Sequence, residues 1–134
     1  MMHKTEEQIS QDDSGQLAGD TTGLKNDFSA QHLLEDDHLQ SAAFLAKSLS
    51  DVNRLRILLL ISGGRKSVTA IVEELDLSQP LVSHHLKELK RSLLVKVERE
   101  GPFIYYDLAD NRIVGVLRTL SEVATDLLST RKTF

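Results

Sequence analysis

Hydrogen-bond donors and positive charges recur on one side of the segment from residue 78 to residue 92. They are Gln79, Ser83, His84, Lys87, Lys90 and Arg91, with His85 at the border of the group. If the segment is a helix, an apolar face lies opposite, built from Val82, Leu86, Leu89 and Leu93. Amides, hydroxyls and cations of this kind bind the phosphates and base edges of nucleic acids. An ordinary solvated helix face explains this segment, taken alone, equally well.

A shorter helix and a tight turn precede this segment. The inward-facing residues of the shorter helix are Ile71, Val72 and Leu75. Asp76 stands where the chain leaves the helix in a left-handed conformation, which Asp tolerates better than most residues. Ser78 is expected to cap the second helix, and Pro80 suits its first turn because no N–H is needed there. The pattern predicts a helix-turn-helix, whose second helix enters the major groove of DNA.

A β-hairpin is predicted directly after the second helix. The run from Val95 to Glu100 alternates in polarity, and Gly101 and Pro102 interrupt it. A β-rich run then follows from Phe103 to Tyr106. A helix-turn-helix followed by a two-stranded hairpin is a winged helix, so the predicted fold class is mainly α with a small β-hairpin.

The chain resembles the ArsR/SmtB family of small dimeric bacterial repressors in three segments, LSDVNRLRILLLI, ELDLSQPLVSHHLKELKRSLLVKVEREG and IYYDLAD. The similarity covers about Leu39 to Leu128 and is most specific in LSQPLVSHHLKELKRSLLV. It implies a dimeric winged helix-turn-helix that represses transcription. The expected partners are a second copy of the chain and double-stranded DNA carrying an imperfect inverted repeat.

Two sets of DNA-contacting residues are predicted on this basis. Contacts to base edges or adjacent phosphates are assigned to Ser78, Gln79, Val82, Ser83, His84 and His85. Contacts to the phosphate backbone are assigned to Lys87, Lys90, Arg91, Lys96 and Arg99. Pro102 stands where the family often has a base after the turn glycine, so we expect the wing to make little contact with the minor groove.

The distribution of charge favours DNA binding although the formal net charge is −4. Residues 1–50 carry nine acidic and three basic side chains, whereas residues 51–134 carry eleven acidic and thirteen basic ones. Residues 1–30 are acidic and poor in apolar side chains, and they are predicted to be a disordered tail. Residues 31–134 are predicted to form the DNA-binding and dimerisation domain.

Three further helices are expected around the helix-turn-helix. The first carries an apolar stripe and runs from about Gln31 to Ser50, and the second begins at the cap Ser50-Asp51 and runs to about Ser62. Thr69 is expected to cap the first helix of the helix-turn-helix, and Asp110 the last helix of the chain. The core of the second helix is assigned to Val52, Leu55, Leu58, Leu59 and Ile61.

The last helix carries an apolar stripe longer than a domain of this size needs for its own core. A second copy of the helix would cover it. The resemblance implies that the first and last helices of two subunits form a twofold interface. The residues assigned to this interface are Leu39, Ala42, Ala43, Ala46, Ile113, Val116, Leu117, Leu120, Val123, Ala124 and Leu127.

Several other classes of protein fit the sequence poorly. Ser83, His84 and His85 are neighbours that would point about 100° apart on a helix, so they cannot converge on one substrate atom, and no enzymatic activity is predicted. The sequence contains no apolar run long enough for a membrane span. The start MMHKTEEQISQDD lacks the apolar core of a signal peptide, so a cytoplasmic protein is expected.

Metal sensing occurs in part of the resembling family, through several kinds of site. Thiolate sites are impossible because the chain has no cysteine. The resemblance places another site on the last helix, where Asp110 matches the first ligand but Arg112 replaces the histidine that should follow. Val123 and Asp126 occupy the later positions, so this site is expected to be absent. No cofactor is predicted, and the effector is unknown.

Two alternatives stay open. His32, Asp36 and His38 are the remaining metal candidates, because His32 and Asp36 are four residues apart and share a helix face. They would make the protein a metal-responsive repressor. A winged helix that binds a protein partner is the other alternative, although such domains usually lose the polar and basic side chains that this chain keeps.

Overall fold

The computed structural model describes residue 31 and residues 35–133. The predicted tail, residues 1–30, and the metal candidate His32 lie outside the described residues. The elements in chain order are α1 (Asp36–Ser48), α2 (Val52–Ile61), α3 (Val68–Leu75), α4 (Gln79–Arg91), β1 (Val95–Glu100), β2 (Phe103–Leu108), α5 (Arg112–Ser129) and a 3-10 helix (Thr130–Thr133). The predicted order of helices and hairpin is therefore confirmed. No helix in the described part of the chain is long and apolar enough to cross a lipid bilayer.

The described residues fall into two units, and the boundary between them lies inside α1, after residue 42. In the first unit, Asp36 and Asp37 occupy the first turn of α1, where the helix dipole favours negative charge. The hydroxyl of Ser41 donates to the carbonyl of Asp37 at 2.8 Å. No residue of α1 is fully buried.

The helix-turn-helix of the second unit is formed by α3 and α4. Ser67 caps α3, because its hydroxyl accepts the N–H of Ala70 at 3.2 Å. The prediction of Thr69 as the cap is therefore wrong, and Thr69 lies inside the first turn. Asp76 adopts the predicted left-handed conformation with a φ of 53°, and Ser78 caps α4 as predicted.

The core lies where α2, α3, α4 and the base of the hairpin meet. Its completely buried side chains are Ile57, Leu58, Ile61, Ile71, Val82, Leu86 and Leu89. Leu94, Val95, Leu108 and Leu117 extend it. Helical spacing predicted four residues for the apolar face of α4. Three of them, Val82, Leu86 and Leu89, are buried as predicted.

The inward face of α2 differs from the predicted one. Val52 is 61% and Leu59 is 50% exposed, whereas Ile57, which the prediction omits, is fully buried. Residues 57–61 are all apolar, so polarity does not mark which of them face inward. Leu59 stands two residues, or about 200°, from the buried Ile61 and so lies on the other side of the helix.

Leu93, the fourth residue of the predicted apolar face of α4, lies beyond the end of that helix. The helix ends at Arg91, and Leu93 has a φ of 64° and is 77% exposed, so its predicted burial is wrong. The N–H of Leu93 donates to Lys90 and that of Leu94 to Leu89, which is the bonding of a Schellman motif. Leu94 takes the inward position that continued helical spacing would have given to Leu93.

The hairpin pairs β1 and β2 antiparallel, with Val95 opposite Leu108 and Glu100 opposite Phe103. Gly101 supplies the positive φ, 61°, at the first position of the two-residue turn, as a type II′ turn requires. Lys66 and Tyr106 exchange two backbone hydrogen bonds of 3.0 and 2.8 Å, which tie the α2–α3 loop to the hairpin.

The start of α5 is displaced by one residue from the prediction. Asn111, not Asp110, occupies the N-cap position, and its side chain makes no capping bond. The carboxylate of Asp110 nevertheless accepts the backbone N–H of Arg112 at 2.8 Å and also pairs with its guanidinium. This pairing lowers the pKa of Asp110 to about 2.

We predict that Leu93→Gly raises the free energy of unfolding by about 0.5–1 kcal/mol. Glycine accepts a positive φ without the steric cost that a β-carbon causes there, and the exposed leucine side chain contributes little packing. Urea denaturation at one fixed protein concentration measures the change. Leu93→Ala keeps the β-carbon and is the matched control, and a gain from alanine equal to that from glycine would refute the backbone explanation.

Candidate nucleic-acid interface

The outer face of α4 presents the polar residues that its sequence predicts. Those that are exposed are Gln79, Ser83, His84, Lys87, Lys90 and Arg91. Ser78 is also exposed, but its hydroxyl accepts the N–H of Leu81 at 3.3 Å. One helix therefore displays amide, hydroxyl, imidazole and cationic groups together on one surface, opposite a buried apolar face.

Two residues that were predicted to contact DNA are instead buried. Val82 is fully buried and His85 is only 5% exposed. Both lie on the side of α4 that packs against the core, where a base edge or phosphate cannot reach them. The prediction of DNA contact by Val82 and His85 is corrected accordingly.

His85 contacts the start of α2 from inside the domain. Its Nε2 lies 3.6 Å from Oδ1 of Asp51, while its Nδ1 is buried without a hydrogen-bond partner among the described residues. The same Asp51 carboxylate caps α2 by accepting the N–H groups of Asn53 and Arg54 at 2.8 and 3.1 Å. Burial lowers the pKa of His85, against the opposing effect of the Asp51 carboxylate.

The predicted phosphate-binding cations differ in whether a carboxylate of the same chain already pairs with them. Arg91 lies 3.2 Å from Glu88, and Lys96 lies 3.7 Å from Glu98. Lys87, Lys90 and Arg99 are exposed and have no ion-pair partner within the part of the chain that the structure describes. These three cations are therefore the ones freest to bind an external anion.

The two hairpin cations lie on opposite faces, because side chains alternate along a strand. The Lys96 face also carries Glu98, Glu100 and Asp107, since Lys96 pairs with Asp107 across the strands. Arg99 pairs with Ile104, and its face carries no carboxylate. The hairpin therefore has one acidic face and one weakly basic face.

A cleft beside α4 adds two cations that were not predicted. Its volume is about 420 Å³, and it is lined by Phe44, Lys47, Ser48, Arg54, His84, Glu88, Arg91 and Ser92. The Nε of Arg54 donates to the carbonyl of Ser48 at 2.7 Å, so Arg54 is partly committed to holding the end of α1. Arg54 and Lys47 belong to other helices, so no local pattern in α4 could have indicated them.

The outer side of α5 carries a row of half-exposed apolar residues. They are Val116, Leu120, Val123, Leu127 and Leu128. Leu117 is buried, and Ile113 and Val114 pack against the core. Part of the predicted interface stripe therefore belongs to the core of a single chain, and part is open.

No group of three metal-ligating side chains occurs among residues 31 and 35–133. The predicted ligands Asp36 and His38 are exposed, but His32 lies outside the described residues, so that set is untested. At the last helix, the guanidinium of Arg112 is bound to the Asp110 carboxylate, with an Nη2 to Oδ2 distance of 2.8 Å.

The architecture and the polar face of α4 are those of winged helix-turn-helix DNA-binding proteins. The family model described as bacterial regulatory protein, arsR family, matches residues 51–97. The chain is also similar to an uncharacterized HTH-type transcriptional regulator of Methanocaldococcus jannaschii, with 36% identity over 85 residues, 63% of this chain and 96% of the relative. The chain belongs to the ArsR/SmtB family of transcriptional regulators.

Two further similarities agree with this assignment. The transcriptional repressor SdpR of Bacillus subtilis is 42% identical over 62 residues, 46% of this chain and 69% of the relative. A homodimeric winged helix-turn-helix DNA-binding domain from Mycobacterium bovis, solved by NMR, superposes with a TM-score of 0.59 at 31% identity. The match covers 66% of this chain and 82% of that one.

We predict that His85 makes stability fall as the pH drops from 7 to 5. The folded pKa of His85 is lowered, so its contribution is complete above the unfolded pKa near 6.5 and is lost below it, because the unfolded chain then binds the extra proton. One such proton increases the slope of the free energy of unfolding against pH by at most about 1.4 kcal/mol per pH unit.

Urea denaturation of the parent chain and of His85→Leu at several pH values measures this contribution. The lowered pKa of Asp51 acts below this window and does not interfere. Equal slopes for the two proteins, or a steeper slope for His85→Leu, would contradict the prediction.

Proposed function

We propose that this protein is a dimeric transcriptional repressor that binds an imperfect inverted repeat in double-stranded DNA. The observation that carries the proposal is the division of α4 into a buried apolar face and an exposed face of donors and cations. A helix held in this way can lie in the major groove with its polar side chains at the base edges.

Each exposed residue of α4 has a role that follows from its chemistry and position. Gln79, Ser83 and His84 lie in the N-terminal half, which approaches the bases in a helix-turn-helix. Lys87 and Lys90 lie further along, where ammonium groups bind phosphates. Arg99 on the hairpin adds a cation on the face that carries no carboxylate.

The proposed dimer uses the open apolar row on α5 together with α1. Leaving Val116, Leu120 and Leu127 in water is unfavourable, and a twofold copy of the same helix would bury them. Two recognition helices would then be presented about one DNA turn, ~34 Å, apart. The homodimeric M. bovis domain supports this arrangement.

The proposed repressor does not use the thiolate or last-helix metal sites of its family. The chain has no cysteine, and Arg112 neutralises the one last-helix ligand that is present, Asp110. An arginine cannot ligate a cation and its charge opposes one. We further propose a cytoplasmic protein without enzymatic activity, whose effector is not a ligand of those two sites.

Ser83→Ala is expected to reduce the preference for operator over scrambled DNA by about 1–3 kcal/mol, because a hydrogen bond to a base edge is lost. His84→Ala is expected to act in the same way. Fluorescence anisotropy measures both affinities, with a duplex taken from upstream of the protein's own gene and a scrambled duplex of equal composition.

Lys90→Ala is the matched control for these two variants. It removes a phosphate contact and should weaken both duplexes alike and flatten the salt dependence. An unchanged preference in Ser83→Ala and His84→Ala would remove these residues from base readout. Equal, weak binding of both duplexes by the parent chain would favour the protein-binding alternative.

Leu120→Asp is expected to convert the dimer to a monomer, since the interface would have to bury an unpaired charge. Light scattering measures the mass in solution. Arg118→Asp changes an exposed residue outside the assigned interface on the same helix and should leave the dimer intact. A dimer that persists in Leu120→Asp would refute the role of α5.

A further inference from the structure

The acidic face of the hairpin is bound by a cation from outside it. Arg65, in the loop between α2 and α3, places its Nη1 3.0 Å from Oε2 of Glu98, and its Nη2 contacts Glu100. Its guanidinium carbon also lies 4.4 Å from the centroid of the Tyr105 ring. Glu98 and Tyr105 are cross-strand partners, so Arg65 covers one face of the hairpin at its centre.

This contact has a consequence for charge. Without Arg65, the face would carry the three carboxylates of Glu98, Glu100 and Asp107 against the single cation of Lys96. Successive strand residues are about 3.3 Å apart, so these carboxylates lie well within the Debye length, ~10 Å at 0.1 M salt, of the cations beside them. A phosphate that approaches Lys96 or Arg99 therefore also meets the field of Glu98 and Glu100.

We propose that Arg65 is a positioning residue for DNA binding, which makes the hairpin compatible with a phosphate backbone by neutralising Glu98 and Glu100. It does so without touching the nucleic acid. This inference rests on the proposed DNA-binding role of the hairpin and explains how a wing with three acidic and two basic side chains can take part in it.

The geometry favours neutralisation over direct phosphate contact. Two carboxylates occupy both terminal nitrogens of the guanidinium, and the aromatic ring covers one of its faces. These contacts commit a planar, five-donor group to the hairpin. The neighbouring residue Lys66 anchors the same loop through its backbone bonds to Tyr106.

The experiment compares affinities for a generic duplex of random sequence in 50 mM and 300 mM salt, by fluorescence anisotropy. Arg65→Gln is expected to weaken binding about three- to tenfold in 50 mM salt, and the difference should shrink in 300 mM salt as screening increases. Arg65→Lys keeps the charge and should stay within about twofold of the parent chain. Arg118→Gln on α5 is the control for net charge alone.

The decisive variant is Arg65→Gln combined with Glu98→Gln and Glu100→Gln. It removes the carboxylates that need neutralising and should restore the affinity of the parent chain to within about twofold. Failure of this triple variant to recover would mean that Arg65 binds a phosphate itself or acts only on the shape of the hairpin, and the proposal would be overturned. An Arg65→Gln variant as tight as the parent chain would also overturn it.

Two further measurements separate the possible failures. If Arg65→Gln does not fold, as judged by thermal unfolding, Glu98→Gln/Glu100→Gln with Arg65 intact carries the test and should bind the duplex more tightly than the parent chain. A parent chain that binds the operator and scrambled duplexes equally would refute the proposed repressor function. It would not affect this inference, because the random-sequence duplex tests only the effect of charge. A parent chain that binds no duplex even in 50 mM salt would refute both.

Discussion

The burial of Val82, Leu86 and Leu89 against α2 and α3 is the constraint on which the rest of the molecule depends. These three side chains fix the rotation of α4 about its own axis, because successive residues of a helix are separated by 100°. A rotation by one residue would expose one of them and would bury a charged or polar neighbour, at a cost of several kcal/mol. The polar outer face is thus positioned by the apolar inner one.

The same core also determines where the hairpin stands relative to α4. Leu94 and Val95 are buried directly after the Schellman turn that ends the helix, and Leu108 closes the core from the second strand. The two backbone bonds between Lys66 and Tyr106 add a second attachment on the opposite side. Cations on α4 and on the hairpin therefore keep a fixed spacing, which would lower the entropy lost if both contact one phosphate backbone, as proposed.

Sequence patterns within single helices and strands predicted some of these features and missed others. The faces of α3 and α4 could be predicted because polar and apolar residues alternate there at helical spacing, whereas the unbroken apolar run of α2 hid Ile57 and misassigned Leu59. His85 carries a polar ring, and the sequence does not reveal that its neighbour in space is Asp51. The ion pair between Arg65 and Glu98 joins residues 33 positions apart, and no periodicity within one element encodes such a contact.

The ion pairs also resolve how a chain with a net charge of −4 can be a DNA-binding protein. Glu88, Glu98 and Glu100 each have a cationic partner, and Lys87, Lys90 and Arg99 are the cations of the proposed DNA-binding surface that have no ion pair among the described residues. Each phosphate that is neutralised contributes only about −0.9 to the slope of log K against log salt. With so few free cations, the proposed repressor would bind random DNA weakly, and its discrimination between sites would come from the groups proposed to reach the bases. The proposed interface would therefore favour selectivity over raw affinity, which suits a regulator that must leave most of the genome unoccupied.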